Sequence, residues 1–131
     1  MSHTQSPYRA ALFDMDGTLV DNSEVHVRAF ELFCNRYRVS DWREKLNRAF
    51  GMGSDDIMRM LLPEAVIEQK GLKALGDEKE EIYREIYAPE IRPVAGLVAL
   101  LELLNRSGIR CAVGSSGCRD NVEFVLDKCN I

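Results

Sequence analysis

No basic tract runs through these 131 residues, and no aromatic side chains are interleaved with positive charges. The formal net charge of −4 comes from acids and bases mixed along the chain, which gives a nucleic-acid surface no support. No apolar stretch approaches membrane-spanning length, and the opening MSHTQSP lacks both the basic and the apolar part of a signal peptide. A cytoplasmic location, without a membrane partner, is therefore expected. The four cysteines form no CxxC pair and have no metal-type spacing, so they read as reduced and mostly structural thiols. Internal repeats and low-complexity segments are absent as well. What remains is a chain with 46% apolar residues, ordinary for a globular protein, whose expected partner is a small molecule.

Two short apolar runs read as strands. Tyr8 to Phe13 (YRAALF) follows a proline and precedes an acidic turn, and Ile109 to Val113 (IRCAV) lies between Ser107-Gly108 and Gly114-Ser115-Ser116-Gly117. Between them the spacing predicts helices over Ser23 to Tyr37, with Val27, Phe30, Phe33 and Cys34 in phase, and over Trp42 to Phe50, Ser54 to Leu62 and Asp77 to Tyr87. Pro89 and Pro93 then interrupt the pattern, an apolar helix runs from Val94 to Leu104, and Asn121 to Lys128 begins another after the second strand. The result is a β-α-β arrangement with an all-helical block inserted after the first strand. Two parallel strands fall short of the usual minimum for a stable sheet, so the chain reads as cut short before further strands.

The stretch FDMDGTLVDN, Phe13 to Asn22, carries the chemistry. Asp14 and Asp16 stand at the C-terminal end of the first strand, where open α/β sheets place their ligands. Residues two apart share one side of an extended chain, and Gly17 permits the tight turn behind them. Two such carboxylates can hold a Mg²⁺ ion that lets an anionic phosphate approach; one can then attack phosphorus while the other shuttles the leaving group's proton. A calcium loop is excluded, because counting from Asp14 the glycine is fourth and the twelfth residue is Val25. Asp and Gly are also ordinary turn formers, so DxDG alone fits an acidic turn without function; the preceding strand argues otherwise.

VGSSGCRDNV, Val113 to Val122, is no serine-nucleophile elbow, since Cys118 stands where a glycine is required and the only histidines are His3 and His26. A hydroxyl and backbone N–H groups leading into a helix N-terminus can bind an anion, and a plain Ser/Gly-rich helix cap reads equally well.

FDMDGTLVDN closely resembles the first motif of the haloacid dehalogenase superfamily, DxDGT(L/V)xD. The resemblance implies that Asp14 is a nucleophile that becomes an aspartyl-phosphate and that Asp16 is the general acid/base. It also implies that Mg²⁺ is bound by the Asp14 carboxylate and the Asp16 backbone carbonyl, with Gly17 and Thr18 beside the phosphate. Val113 to Val122 is similar to the second motif, which would make Ser115 a phosphate ligand with Ser116 nearby. The family's third-motif lysine and fourth-motif acidic pair have no counterpart here.

On the same resemblance the inserted helices are a cap over the active site. His26, and Lys79 with Tyr83 in KEEIY, are similar to elements of the β-phosphoglucomutase-like branch, where such a His and Lys lie close together and help position the general acid/base and a sugar phosphate. Read without the family, His26 is an ordinary helix histidine, and Lys79 lies in a charged run, DEKEE, that suits a solvated face. Ser54 occupies the position where a mutase would carry a basic residue, which favours a phosphatase.

The expected fold is α/β: a Rossmann-like parallel-sheet core over 7–20 and 90–131, incomplete in this chain, with an α-helical cap over 21–89. The expected activity is Mg²⁺-dependent hydrolysis of a small phosphorylated metabolite, such as a sugar phosphate. The rivals are phosphohexomutation and a non-catalytic fragment that binds only phosphate or a partner chain. A monomer is expected for a complete enzyme, and self-association through an open sheet edge is open to this chain.

Overall fold

A computed structural model describes residues 7–131; the polar stretch 1–6, with His3, lies outside the described residues. The elements run β1 (Ala10–Phe13), α1 (Ser23–Arg36), α2 (Trp42–Arg48), α3 (Ser54–Leu61), α4 (Glu64–Lys70), α5 (Leu72–Tyr87), α6 (Leu97–Arg106), β2 (Arg110–Val113) and α7 (Arg119–Cys129). By their contacts the residues divide into two units, one of 24–89 and one of the segments to either side of it. No helix among the described residues is long and apolar enough to cross a membrane.

In the outer unit, β1 pairs with β2 in parallel register, Ala10 opposite Arg110 through Phe13 opposite Val113. The pairing runs one step further at each end, where Arg110 N donates to Arg9 O (3.2 Å) and Gly114 N donates to Phe13 O (2.8 Å). Ala11 and Phe13 are half-buried while Ala10 and Leu12 are exposed, the alternation of a strand with one covered face. Both strands are shorter than the apolar runs that contain them, because only the residues that find ladder partners are drawn in. Helix α6 packs on β2 and turns into it through Ile109 N, which donates to Leu104 O at 2.9 Å. Of its apolar residues Leu97 is buried, whereas Leu100 and Leu103 are exposed. On α7, Val125 is fully buried.

The inner unit is all helical, with α5 packed on α3 and α4, and α2 on α3. The buried side of α1 is Val25, Ala29, Phe33 and Cys34. Val27 and Phe30, expected in that stripe, are half-buried, so the helix is turned from the orientation that apolarity alone suggests. Arg36 on α1 meets Glu78 on α5 at 3.1 Å, and Tyr37 donates its hydroxyl to the same carboxylate. Helix α4 was absent from the periodicity, and α5 begins five residues before the expected Asp77. Gly71 explains both: its φ of +85° ends α4 and starts α5 in a region that side chains rarely enter. With no buried residue of its own, α4 leaves no apolar period to read.

Candidate active site

Within the outer unit, the acidic turn grows directly out of β1. Asp14 and Asp16 are both exposed, and Met15 between them is 0% exposed, so the buried methionine pins a stretch whose neighbours both face outward. Met15 N donates to Asp14 Oδ1 at 2.8 Å. An ionised carboxylate with one oxygen so used retains acceptor capacity. Behind the acids, Thr18 N and Leu19 N both donate to Met15 O (3.1 and 2.9 Å), and Gly17 N donates to Val20 O at 2.9 Å. Gly17 has the positive φ, +72°, that this turn demands. Gly17 and Thr18 are exposed at its tip, while Leu19 and Val20 are buried at its base. Leu19 O also accepts from Val94 N at 2.9 Å, which fastens the turn to the segment that leads into α6.

The serine loop meets this turn at Gly117. A Cβ placed on Gly117 would lie 3.2 Å from Ser115 Oγ, 3.5 Å from Met15 Cε and 3.7 Å from Asp16 Oδ2. The absent side chain thus leaves a small hollow bounded by a hydroxyl and a carboxylate. Gly117 N donates to Ser115 Oγ at 3.0 Å, and a hydroxyl that accepts through its oxygen still has its own proton to donate. Ser115 is half-buried and Ser116 exposed. Among the described residues no group of three or more His, Cys, Asp or Glu could hold a metal ion. The donors at the turn are all oxygens, two carboxylates and neighbouring carbonyls, a set that fits Mg²⁺, which takes one or two protein carboxylates and completes its shell with water and substrate phosphate.

Within the helical unit, His26 and Lys79 come together. Lys79 is 3% exposed, on the same side of α5 as Leu75, Ile82, Tyr83 and Tyr87, so its charged run is not a solvated face at this residue. Its Nζ lies 2.9 Å from His26 Nδ1, 3.0 Å from Glu80 Oε1 and 4.3 Å above the Phe30 ring. The His26 ring stacks on Tyr83, centroids 4.1 Å apart and planes 2° from parallel. An ammonium has no acceptor, so against a charged Lys79 it is Nδ1 that accepts. Ser54 opens α3, its Oγ 3.1 Å from the Cβ position of Gly76 on α5.

Residues 11–131 match the model of the haloacid dehalogenase-like hydrolases. The chain belongs to that family. Among haloacid dehalogenase-like proteins it is 29% identical over 125 residues to protein CbbY of Rhodobacter capsulatus, covering 90% of this chain and 55% of the relative. The chain therefore spans about half the length of the curated relative it matches. A CbbY structure from Rhodobacter sphaeroides in complex with phosphate superposes with a TM-score of 0.72 at 26% identity, over 94% of this chain and 57% of that one. A mutant of the same CbbY, solved in complex with xylulose-(1,5)bisphosphate, gives 0.72 at 25% identity with the same coverage. A family IA, variant 3 hydrolase from Entamoeba histolytica reaches 0.75 at 22% identity, over 93% and 55%. These likenesses make the fold that of a Rossmann-like core with an inserted helical cap.

Two residues beside the acidic turn of this haloacid dehalogenase-like chain had escaped the sequence reading. Gly117 read only as loop punctuation, though its place directly after the serine pair hinted at a close approach. Asn22 donates from Nδ2 to Asp16 Oδ1 at 2.6 Å and is 1% exposed; nothing in its residue type marks it.

Proposed function

We propose that this chain carries the acidic turn and phosphate loop of a Mg²⁺-dependent phosphatase that hydrolyses a small phosphorylated metabolite. The observation that carries this reading is the meeting of the Asp16 carboxylate and the Ser115 hydroxyl around the hollow at Gly117, with Asp14 exposed two residues before Asp16 at the end of β1.

Asp14 attacks phosphorus through a carboxylate oxygen, forming an aspartyl-phosphate as the phosphorus–oxygen bond to the leaving group breaks. Asp16 gives its proton to the departing alkoxide. It then takes a proton from a water molecule that attacks the phosphoryl group, releasing inorganic phosphate and restoring the Asp14 carboxylate. The Ser115 hydroxyl, which keeps its own proton to donate, holds a phosphate oxygen, with Ser116 and the exposed turn tip at Gly17 and Thr18 beside it. The Asp14 carboxylate and the Asp16 backbone carbonyl would hold Mg²⁺, whose positive charge would offset the repulsion between nucleophile and phosphate. Residues 21–89 serve as the cap that selects the substrate. A sugar phosphate is supported as the class by the sugar bisphosphate and the phosphate found in CbbY structures.

One observation favours phosphohexomutation as a second reading: the 2.9 Å pair of His26 and Lys79, the arrangement expected of the mutase-like branch. Ser54 at the start of α3, where a basic residue would be expected, weighs against it.

The test is Mg²⁺-dependent release of phosphate from a panel of small phosphate esters by this chain beside Asp14→Asn. Release that needs both the metal and Asp14 is the expected result. Release undiminished in the variant would remove Asp14 from the mechanism, and conversion of glucose 1-phosphate without net phosphate release would favour the mutase. Silence from a folded chain would make it a binding fragment.

A further inference from the structure

Asn22 is the most deeply buried polar side chain of the outer unit, and burying a primary amide is costly unless its hydrogen bonds are replaced. Its Nδ2 meets this need by donating to Asp16 Oδ1 at 2.6 Å. The seven residues from Asp16 to Asn22 have little freedom: the turn is closed by the bonds at Met15 O and Val20 O, and Leu19 and Val20 are packed at its base. The amide is therefore presented from a fixed point.

Resting on the phosphoryl-transfer reading, we infer that Asn22 is a positioning residue for Asp16, tethering one carboxylate oxygen so that the other carries the transferable proton. The geometry divides the two oxygens. Oδ1 faces the Asn22 amide, and Oδ2 is the oxygen 3.7 Å from the Cβ position of Gly117, on the side of the Ser115 hydroxyl. A proton on Oδ1 would compete with the amide N–H for the same lone pairs, so the acidic proton belongs on Oδ2, toward the phosphate loop. An amide neither gains nor loses a proton near neutral pH. The tether therefore holds both when Asp16 acts as acid and when it acts as base, whereas a titrating partner would change its hold halfway through turnover.

The experiment compares two esters. An alkyl phosphate leaves as a strongly basic alkoxide and needs Asp16's proton; p-nitrophenyl phosphate leaves without one. In Asn22→Leu, of similar volume, kcat/KM for the alkyl ester should fall roughly 10- to 100-fold, a part of what general acid catalysis typically contributes, and that for the aryl ester by less than about threefold. Asn22→Ser, which keeps a donor, should lie in between. Equal losses on both esters, or no loss, would overturn the inference while leaving the Asp14-dependent reaction standing. Turnover that persists in Asp14→Asn would instead overturn the phosphoryl-transfer reading.

The tether is also read without turnover, in proton–nitrogen correlation spectra of the whole chain. The Asn22 side-chain amide, which donates to Asp16 Oδ1 at 2.6 Å, should move markedly in Asp16→Ala and little in Asp14→Asn. An amide signal unmoved in Asp16→Ala would overturn the inference even in an inactive chain.

Discussion

Asp14 is exposed and among the described residues accepts a hydrogen bond from its own neighbour's N–H, so its replacement by asparagine should change stability by less than about 0.5 kcal/mol. The same change should abolish phosphate release; calorimetry and the ester assay together separate chemistry from folding. Gly117→Ala is the complementary case. Its Cβ would press on Ser115 Oγ at 3.2 Å and occupy the hollow beside Asp16, so turnover should fall about tenfold or more while the chain stays folded. A third prediction concerns a thiol far from this chemistry. Burial pushes the Cys34 thiol from 9.0 up to about 11, against a smaller opposing pull from Lys45. Below pH 9 folded and unfolded chains both hold the proton and the contribution is fully present. Between pH 9 and about 11 only the unfolded thiol ionises, so up to about 3 kcal/mol of stability should drain away. Urea unfolding across that range, with Cys34→Ala as the control, measures it. At this scale the candidate site could be picked out wherever residue type marks it: two acids at period two, a glycine, a serine pair. Asn22 was not, because an asparagine after a turn is commonplace, and only its burial against a carboxylate gives it meaning.

At the scale of elements, the pairing of α1 with α5 depends on a cation in an apolar stripe. Lys79 is held by His26 and Glu80 and lies over Phe30, and removing a buried charged partner typically costs 3–5 kcal/mol. Lys79→Ala should therefore destabilise the helical unit by roughly 2–4 kcal/mol, read from chemical denaturation monitored at Tyr83 and Tyr87. Lys79→Met, which keeps the stem and discards the charge, should cost less. The strands and most helices could be read from apolar period and from glycine and proline punctuation. Helix α4 could not, since a helix that buries no side chain has no period. The rotation of α1 was equally hidden: apolar residues mark a stripe, and packing decides which of them are covered.

For the whole molecule, the outer unit leaves its apolar surface open. Tyr8 and Leu12 are 73% and 76% exposed, and Val98, Leu100 and Leu103 of α6 are exposed as well, beside a sheet of two strands among the described residues. Exposed apolar surface next to unpaired strand edges promotes association. Sedimentation should show the average mass rising with concentration, and Leu12→Lys should suppress the rise; a concentration-independent monomer would refute this. The fastening of Val94 to Leu19 has a consequence of another kind. The chain leaves the acidic turn, travels through the whole helical block, and returns to hydrogen-bond that same turn. Closing a longer loop adds only about 0.6 kcal/mol for each doubling of its length. Whatever lies between the two anchored ends can accordingly grow, shrink or be exchanged with little strain on the aspartates, which makes the block a replaceable cassette on a turn that stays where it is.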